Sequence, residues 1–138
     1  MQDKVFLDTN ILIYLYLQED EHKFQTAQNL LDNHACVSSF QAFSELSNVL
    51  LKKHQIATEV IKAYLDNLMF LLDRISVINR PIIDKAMDIK DRYGYSYYDS
   101  LILSSAIGSG CTTVFSEDMQ HGQLIEGALR ILNPFREA

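Results

Sequence analysis

Five short apolar runs set the frame for this chain, because each ends at a polar residue and most give way to a stretch with helical spacing. They are Lys4-Val5-Phe6-Leu7, His34-Ala35-Cys36-Val37, Ile75-Ser76-Val77-Ile78, Thr112-Thr113-Val114-Phe115 and Leu129-Arg130-Ile131-Leu132. Runs of this length, rich in β-branched and aromatic residues, read as strands. Strands separated by helices pair in parallel, since a tight turn cannot bring the chain back to the same end of a sheet. An α/β layered fold follows, with right-handed crossovers and with ligands gathering at the carboxyl ends of the strands.

The helical stretches carry their own start and stop signals. Asp8-Thr9-Asn10 are good helix starters, so a helix is expected from Ile11. After Gln18-Glu19-Asp20-Glu21 a second helix should run to about Asp32, with Phe24, Ala27, Leu30 and Leu31 on one face. A third is expected from about Ser39 to His54, buried along Phe40, Phe43, Leu46 and Leu50. Glu45 lies roughly 200° from Phe43 at about 100° per residue, so it projects off that stripe with Gln41, Asn48 and Lys52. A fourth covers about Thr58 to Leu72. Pro81 suits the first turn of the next helix, and Gly94 suits its end. Ser96-Tyr97-Tyr98-Asp99 has the capping-box spacing and opens a helix continued by Leu101, Ile102 and Ala106.

Composition excludes several classes. The 138 residues suit one compact domain, 1–138, with a single core. The longest apolar run, from Ile11 to Leu17, falls far short of the roughly 20 residues a membrane span needs. No cleavable signal pattern is present, so the chain is expected in the cytoplasm, away from membranes. Cys36 and Cys111 are isolated, and His22, His34, His54 and His121 are scattered, which argues against a disulfide, zinc or haem site. Twelve Lys and Arg against eighteen Asp and Glu give a net charge of −6, the wrong sign for a simple phosphate-binding surface. Bound divalent ions would reverse that sign locally.

The acidic residues carry the chemistry. Individually each has a structural explanation: Asp8 and Asp99 as helix caps, Asp118 as the cap of a short helix from Met119, Glu45 as a solvated residue. Collectively they sit where an α/β fold can bring them to one end of its sheet. Clustered carboxylates repel one another unless a cation bridges them, and oxygen-only ligands select magnesium or manganese.

Several segments resemble the PIN-domain nucleases, many of which are the toxin half of VapBC-type toxin–antitoxin pairs. They are Val5-Phe6-Leu7-Asp8-Thr9-Asn10-Ile11-Leu12, Ser44-Glu45-Leu46, Ser96 to Ile102, Ser116-Glu117-Asp118-Met119-Gln120-His121-Gly122 and Asn133-Pro134-Phe135. The resemblance covers nearly the whole chain in the right order. It implies a three-layer fold around a mostly parallel sheet of about five strands. It implies Mg2+ or Mn2+ held by Asp8, Glu45, Asp99 and Asp118, with Thr9, Asn10 and Ser116 in support. Glu117 stays open between an additional ligand and an exposed neighbour. The implied activity is hydrolysis of RNA to 5′-phosphate and 3′-hydroxyl ends, with a small antitoxin protein and a second copy of the chain as partners.

Substrate contacts are less defined: Lys52, Lys53, His54, Lys62, Arg74 and Arg92 are candidates for phosphates. Of the two tyrosines beside Asp99, the spacing of Tyr98 with Leu101 and Ile102 favours core packing, leaving Tyr97 as the candidate to stack on a base. A phosphate-accepting receiver domain is disfavoured by the absence of lysine after the last strand. A haloacid-dehalogenase-type phosphatase is disfavoured by Asn10, where a second aspartate belongs. A catalytically weak PIN-fold module that binds RNA or protein is the remaining alternative; its usual mark is a lost acid, and all four are present.

Overall fold

A computed structural model describes residues 3–136. Six strands and six helices alternate through most of the chain. The order is β1 (Lys4–Leu7), α1 (Thr9–Tyr16), α2 (Glu21–Asn33), β2 (Ala35–Ser39), α3 (Phe40–Lys52), α4 (Thr58–Leu71), β3 (Arg74–Ser76), α5 (Arg80–Tyr93), α6 (Tyr97–Gly108), β4 (Thr113–Phe115), β5 (Leu124–Ile125) and β6 (Leu129–Leu132). The sheet order is β3-β2-β1-β4-β6-β5, parallel throughout except for the β5–β6 pair. Phe6 of β1 aligns with Val37 of β2 on one side and Val114 of β4 on the other, and all three are fully buried.

The chain steps outward from β1 through β2 to β3, then crosses back to β4. Right-handed crossovers in opposite directions place their helices on opposite faces, so α1–α4 and the α5–α6 pair sandwich the sheet. The strand order therefore reverses between β1 and β4, and a crevice opens beyond their carboxyl ends.

Local chemistry explains the helix boundaries. Side chains of Asp20, Ser39, Asn79 and Ser96 each accept a hydrogen bond from a free amide in the first turn of α2, α3, α5 and α6. Gly94 closes α5 at φ 80°, a left-handed conformation glycine adopts without a Cβ clash. In α6, every residue from Ser100 to Ala106 is buried, the small Ser100, Ser104 and Ser105 together with the apolar residues. It touches β2, β4 and β6, and it packs most extensively on α5.

Four local expectations are corrected. The sheet has a sixth strand: Leu124–Ile125 turns back onto β6 through Glu126 and Gly127, both left-handed at φ 53° and 66°. Two residues carry too little periodicity to read as a strand. The third strand ends at Ser76, with Val77 and Ile78 exposed beyond it. Phe40 is exposed at the start of α3, against the edge of Phe43, and no helix starts at Met119.

Because Leu103 is fully enclosed in α6, Leu103→Ala should destabilise the protein by about 2–5 kcal/mol. Denaturant unfolding measures this; a loss under about 1 kcal/mol would contradict a tightly wedged α6.

Candidate active site

The crevice beyond β1 and β4 is an open pocket of about 310 Å³ lined by Asp8, Glu45, Asp99 and Asp118, together with Thr9, Asn10, Ile13, Asn48 and Val49. Each acid arrives from a different element. Asp8 follows β1 and caps α1, its Oδ1 accepting a hydrogen bond from Thr9 N at 2.7 Å. Glu45 projects from α3, Asp99 lies in the first turn of α6, and Asp118 sits in the loop after β4.

Neutral donors hold three of these carboxylates. Ser116 Oγ donates to Asp8 Oδ2 at 2.8 Å, and Thr9 Oγ1 donates to Glu45 Oε2 at 2.6 Å. Gln41 Nε2 donates to Glu45 Oε1 at 3.1 Å. Asn10 Nδ2 donates to Asp118 Oδ2 at 2.6 Å. Ser116 is fully buried and also accepts from Met119 N, tying the loop that carries Asp118 back to Asp8. Asp99 has its backbone amide on Ser96 Oγ.

No lysine or arginine lines this pocket. Asp8 is only 8% exposed. Burial pushes its carboxyl up to about 6, partly offset by the bonds from Thr9 and Ser116, and Asp99 and Glu45 add to the rise. Burial also raises Asp99, with Glu45 and Asp118 contributing repulsion.

Among the described residues, no three His, Cys, Asp or Glu side chains already stand in an arrangement that could hold a metal ion. The donor set nevertheless suits a hard divalent cation. Four oxygen ligands share one pocket without a competing cation, and their mutual repulsion is what an ion would relieve.

Glu117 faces elsewhere. It accepts from Lys23 Nζ and from Tyr14 OH, both at 2.5 Å, while Lys23 lies over the rings of Tyr14 and Phe135. Its charge is thus neutralised outside the acidic pocket. Lys23 lies 94 residues away in sequence, so no local pattern could have revealed the pair; Ile13 and Val49, the apolar part of the pocket lining, were equally hidden. None of Lys52, Lys53, Lys62, Arg74 and Arg92 lines the pocket. Arg92 is bound to Glu126, and His54 lines the neighbouring depression with Lys23. The expected core packing of Tyr98 is corrected: Tyr98 is 65% exposed, while Tyr97 is half-buried.

A model of the PIN domain family matches residues 5–124, a span that includes all four acids. The chain belongs to the PIN domain family. Its solved neighbours share the fold of VapC-like toxins. A toxin–antitoxin complex from Klebsiella pneumoniae superposes at a TM-score of 0.71 and 18% identity, covering 96% of this chain and 99% of that one. DNA-bound VapBC from Salmonella typhimurium gives 0.67 and 21%, over 94% and 96%. A Mycobacterium tuberculosis VapC toxin described as cleaving the sarcin–ricin loop gives 0.65 and 18%, over 83% and 91%. No curated protein matches the sequence significantly. Among the described residues, no helix is long and apolar enough to cross a membrane.

The raised Asp8 carboxyl fixes a pH dependence. A folded-state value near 6, against 3.8 for the free side chain, means the native state binds the proton more tightly than the unfolded state. Asp8 therefore costs no stability below about pH 4 and costs progressively more as pH rises through 6. Without divalent ions, Asp8→Asn should raise the melting temperature at pH 8, by at most roughly 3 kcal/mol of stability. The gain should vanish near pH 4, and a variant less stable than the parent at pH 8 would refute this account.

Proposed function

We propose that this PIN domain is a divalent-metal-dependent endoribonuclease and the toxin of a type II toxin–antitoxin pair. One observation carries the reading. Four carboxylates from four separate elements line a single pocket at the sheet's switch point, unaccompanied by any cationic side chain. Such an arrangement is costly to fold for stability alone.

On this reading Asp8, Glu45, Asp99 and Asp118 hold Mg2+ or Mn2+. A divalent ion bound there would offer positive charge to a phosphodiester and lower the pKa of water toward neutrality. The protein's own contribution is position. Thr9 and Gln41 fix the direction of Glu45, Ser116 fixes Asp8, and Asn10 fixes Asp118. Because these donors are neutral, they orient the carboxylates without consuming their charge. In the reaction a water oxygen bonds to phosphorus, the bond from phosphorus to the 3′ oxygen breaks, and that oxygen takes up a proton. The products are 5′-phosphate and 3′-hydroxyl ends, with no covalent intermediate on the protein. Glu117, neutralised by Lys23, acts as a structural anchor of the Asp118 loop rather than as a ligand.

The partners follow from the same family relationship. Similar folds were solved in toxin–antitoxin assemblies, which supports a small antitoxin protein as partner. That it blocks the acidic pocket, and that the chain forms a homodimer, are carried over from the family resemblance alone. RNA in the cytoplasm is the substrate. A second reading is a catalytically weak RNA- or protein-binding module that uses the same pocket without cutting.

Labelled total RNA should be cut by the purified, partner-free protein in magnesium or manganese and left intact in chelator. Asp99→Asn should lower the rate by at least about 100-fold, as expected for removing a group on which the metal depends. A folded protein that binds magnesium yet cuts no RNA in the pool would overturn the nuclease reading in favour of the binding module.

A further inference from the structure

A second depression adjoins the acidic pocket and has the opposite character. It is about 470 Å³, mostly apolar, and lined by Tyr98, Ile78, Gln41, Ser44 and Glu45. Glu45 belongs to both depressions, and Tyr98 directly precedes Asp99, so the two open side by side. The Tyr98 ring is exposed and braced by an edge-on contact with Tyr97, at a centroid distance of 5.4 Å. Its backbone is also anchored. Gln41 Nε2 donates both to Glu45 Oε1 and to the Tyr98 carbonyl, each at 3.1 Å. Gln41 thereby links the direction of Glu45 to the position of the tyrosine, while its own Oε1 is buried without a partner.

We infer that this shelf is a nucleobase subsite, in which Tyr98 stacks on the base next to the phosphate held at the acidic pocket. The inference rests on the nuclease reading for which phosphate is cut, and deepens it to single-stranded RNA. A nucleotide is itself half charged and half flat and apolar, and the paired depressions repeat that division. In duplex RNA the base faces are stacked on one another, so only an unpaired base can offer a face to Tyr98. A tyrosine ring serves any base, and the Ser44 hydroxyl at the rim can add a preference by hydrogen bonding to a base edge. Ile78, exposed just beyond the end of β3, lines the same depression and offers it apolar surface.

The test uses short single-stranded RNAs in which one base at a time is 2-aminopurine, whose fluorescence falls on stacking. They would be titrated, with magnesium present, into the full chain carrying Asp8→Asn to suppress cutting. Quenching is expected at one position relative to the cut site. Tyr98→Phe should retain it, whereas Tyr98→Ala should abolish it and weaken binding about tenfold. Phe70→Ala, which removes an even more exposed aromatic on α4, should change neither. No quenching at any position, or unchanged binding by Tyr98→Ala, would overturn the subsite. So would a Tyr98→Ala protein that loses only a protein partner and keeps its RNA affinity. Cutting by the parent protein without quenching would sink the subsite alone. Quenching by the variant, with no cutting by the parent protein, would sink the nuclease reading and leave the subsite standing.

Discussion

Electrostatic repulsion among Asp8, Glu45, Asp99 and Asp118 is the constraint around which the rest of this molecule is arranged. Elsewhere two half-buried acids meet cations: Glu117 meets Lys23, and Glu126 meets Arg92 and Lys85. At the pocket none does. Serine, threonine, asparagine and glutamine supply the hydrogen bonds, so geometry is fixed while negative charge accumulates. Asp8 resists ionisation chiefly because it is buried, and repulsion from Asp99 and Glu45 adds to that resistance. A fold that carries this repulsion in one pocket, with Asp8 buried at its base, needs a compensating gain, and its core provides one. The sheet's centre and the completely enclosed stretch of α6 hold the elements that deliver the acids.

Topology makes the convergence possible. β1 and β4 are separated by more than a hundred residues yet adjacent in the sheet, so Asp8 and the Ser116–Asp118 loop leave the sheet side by side. Asp8 N bonds to the Phe115 carbonyl, continuing the ladder to the last residue before the crevice. α3 and α6 come from opposite layers and reach over the same end. The family's fold thus turns four distant sequence positions into one pocket, and the PIN domain match spans all of them.

Much of this was legible in the linear sequence, and the exceptions have physical causes. All five apolar runs are strands within two residues of the expected bounds, since long-period alternation of strand and helix survives local irregularities. The helix starts at Ser39 and Ser96 and the stop at Gly94 could be read because capping is decided by neighbouring residues. β5 was hidden because two residues pair only through a left-handed turn. The Tyr97–Tyr98 assignment failed for a related reason. Helical spacing with Leu101 and Ile102 assumed an interior face, but the first turn of α6 sits at the rim, where one more step of rotation leads into solvent. The four acids were marked by family resemblance, and Asp8 and Asp118 also by their position after strands. Their neutral supports were partly visible too: Thr9 and Asn10 as neighbours of Asp8, and Gln41 one turn before Glu45. The Lys23–Glu117 pair had no such signal.

If RNA is the substrate, as proposed, a protein of net charge −6 has to solve an attraction problem, because the usual basic stripe is absent from the pocket lining. On the proposed reading, divalent charge in the acidic pocket supplies a short-range centre of attraction. Long-range steering by the protein's own field would remain weak or repulsive, so affinity must come from contacts made after arrival. An apolar shelf beside the pocket meets that requirement, because stacking requires no charge on the protein and is little screened by salt. The same division restrains indiscriminate binding. A duplex presents phosphates but no open base face, whereas an unpaired loop presents both, and only the second can occupy the acidic pocket and the Tyr98 shelf together.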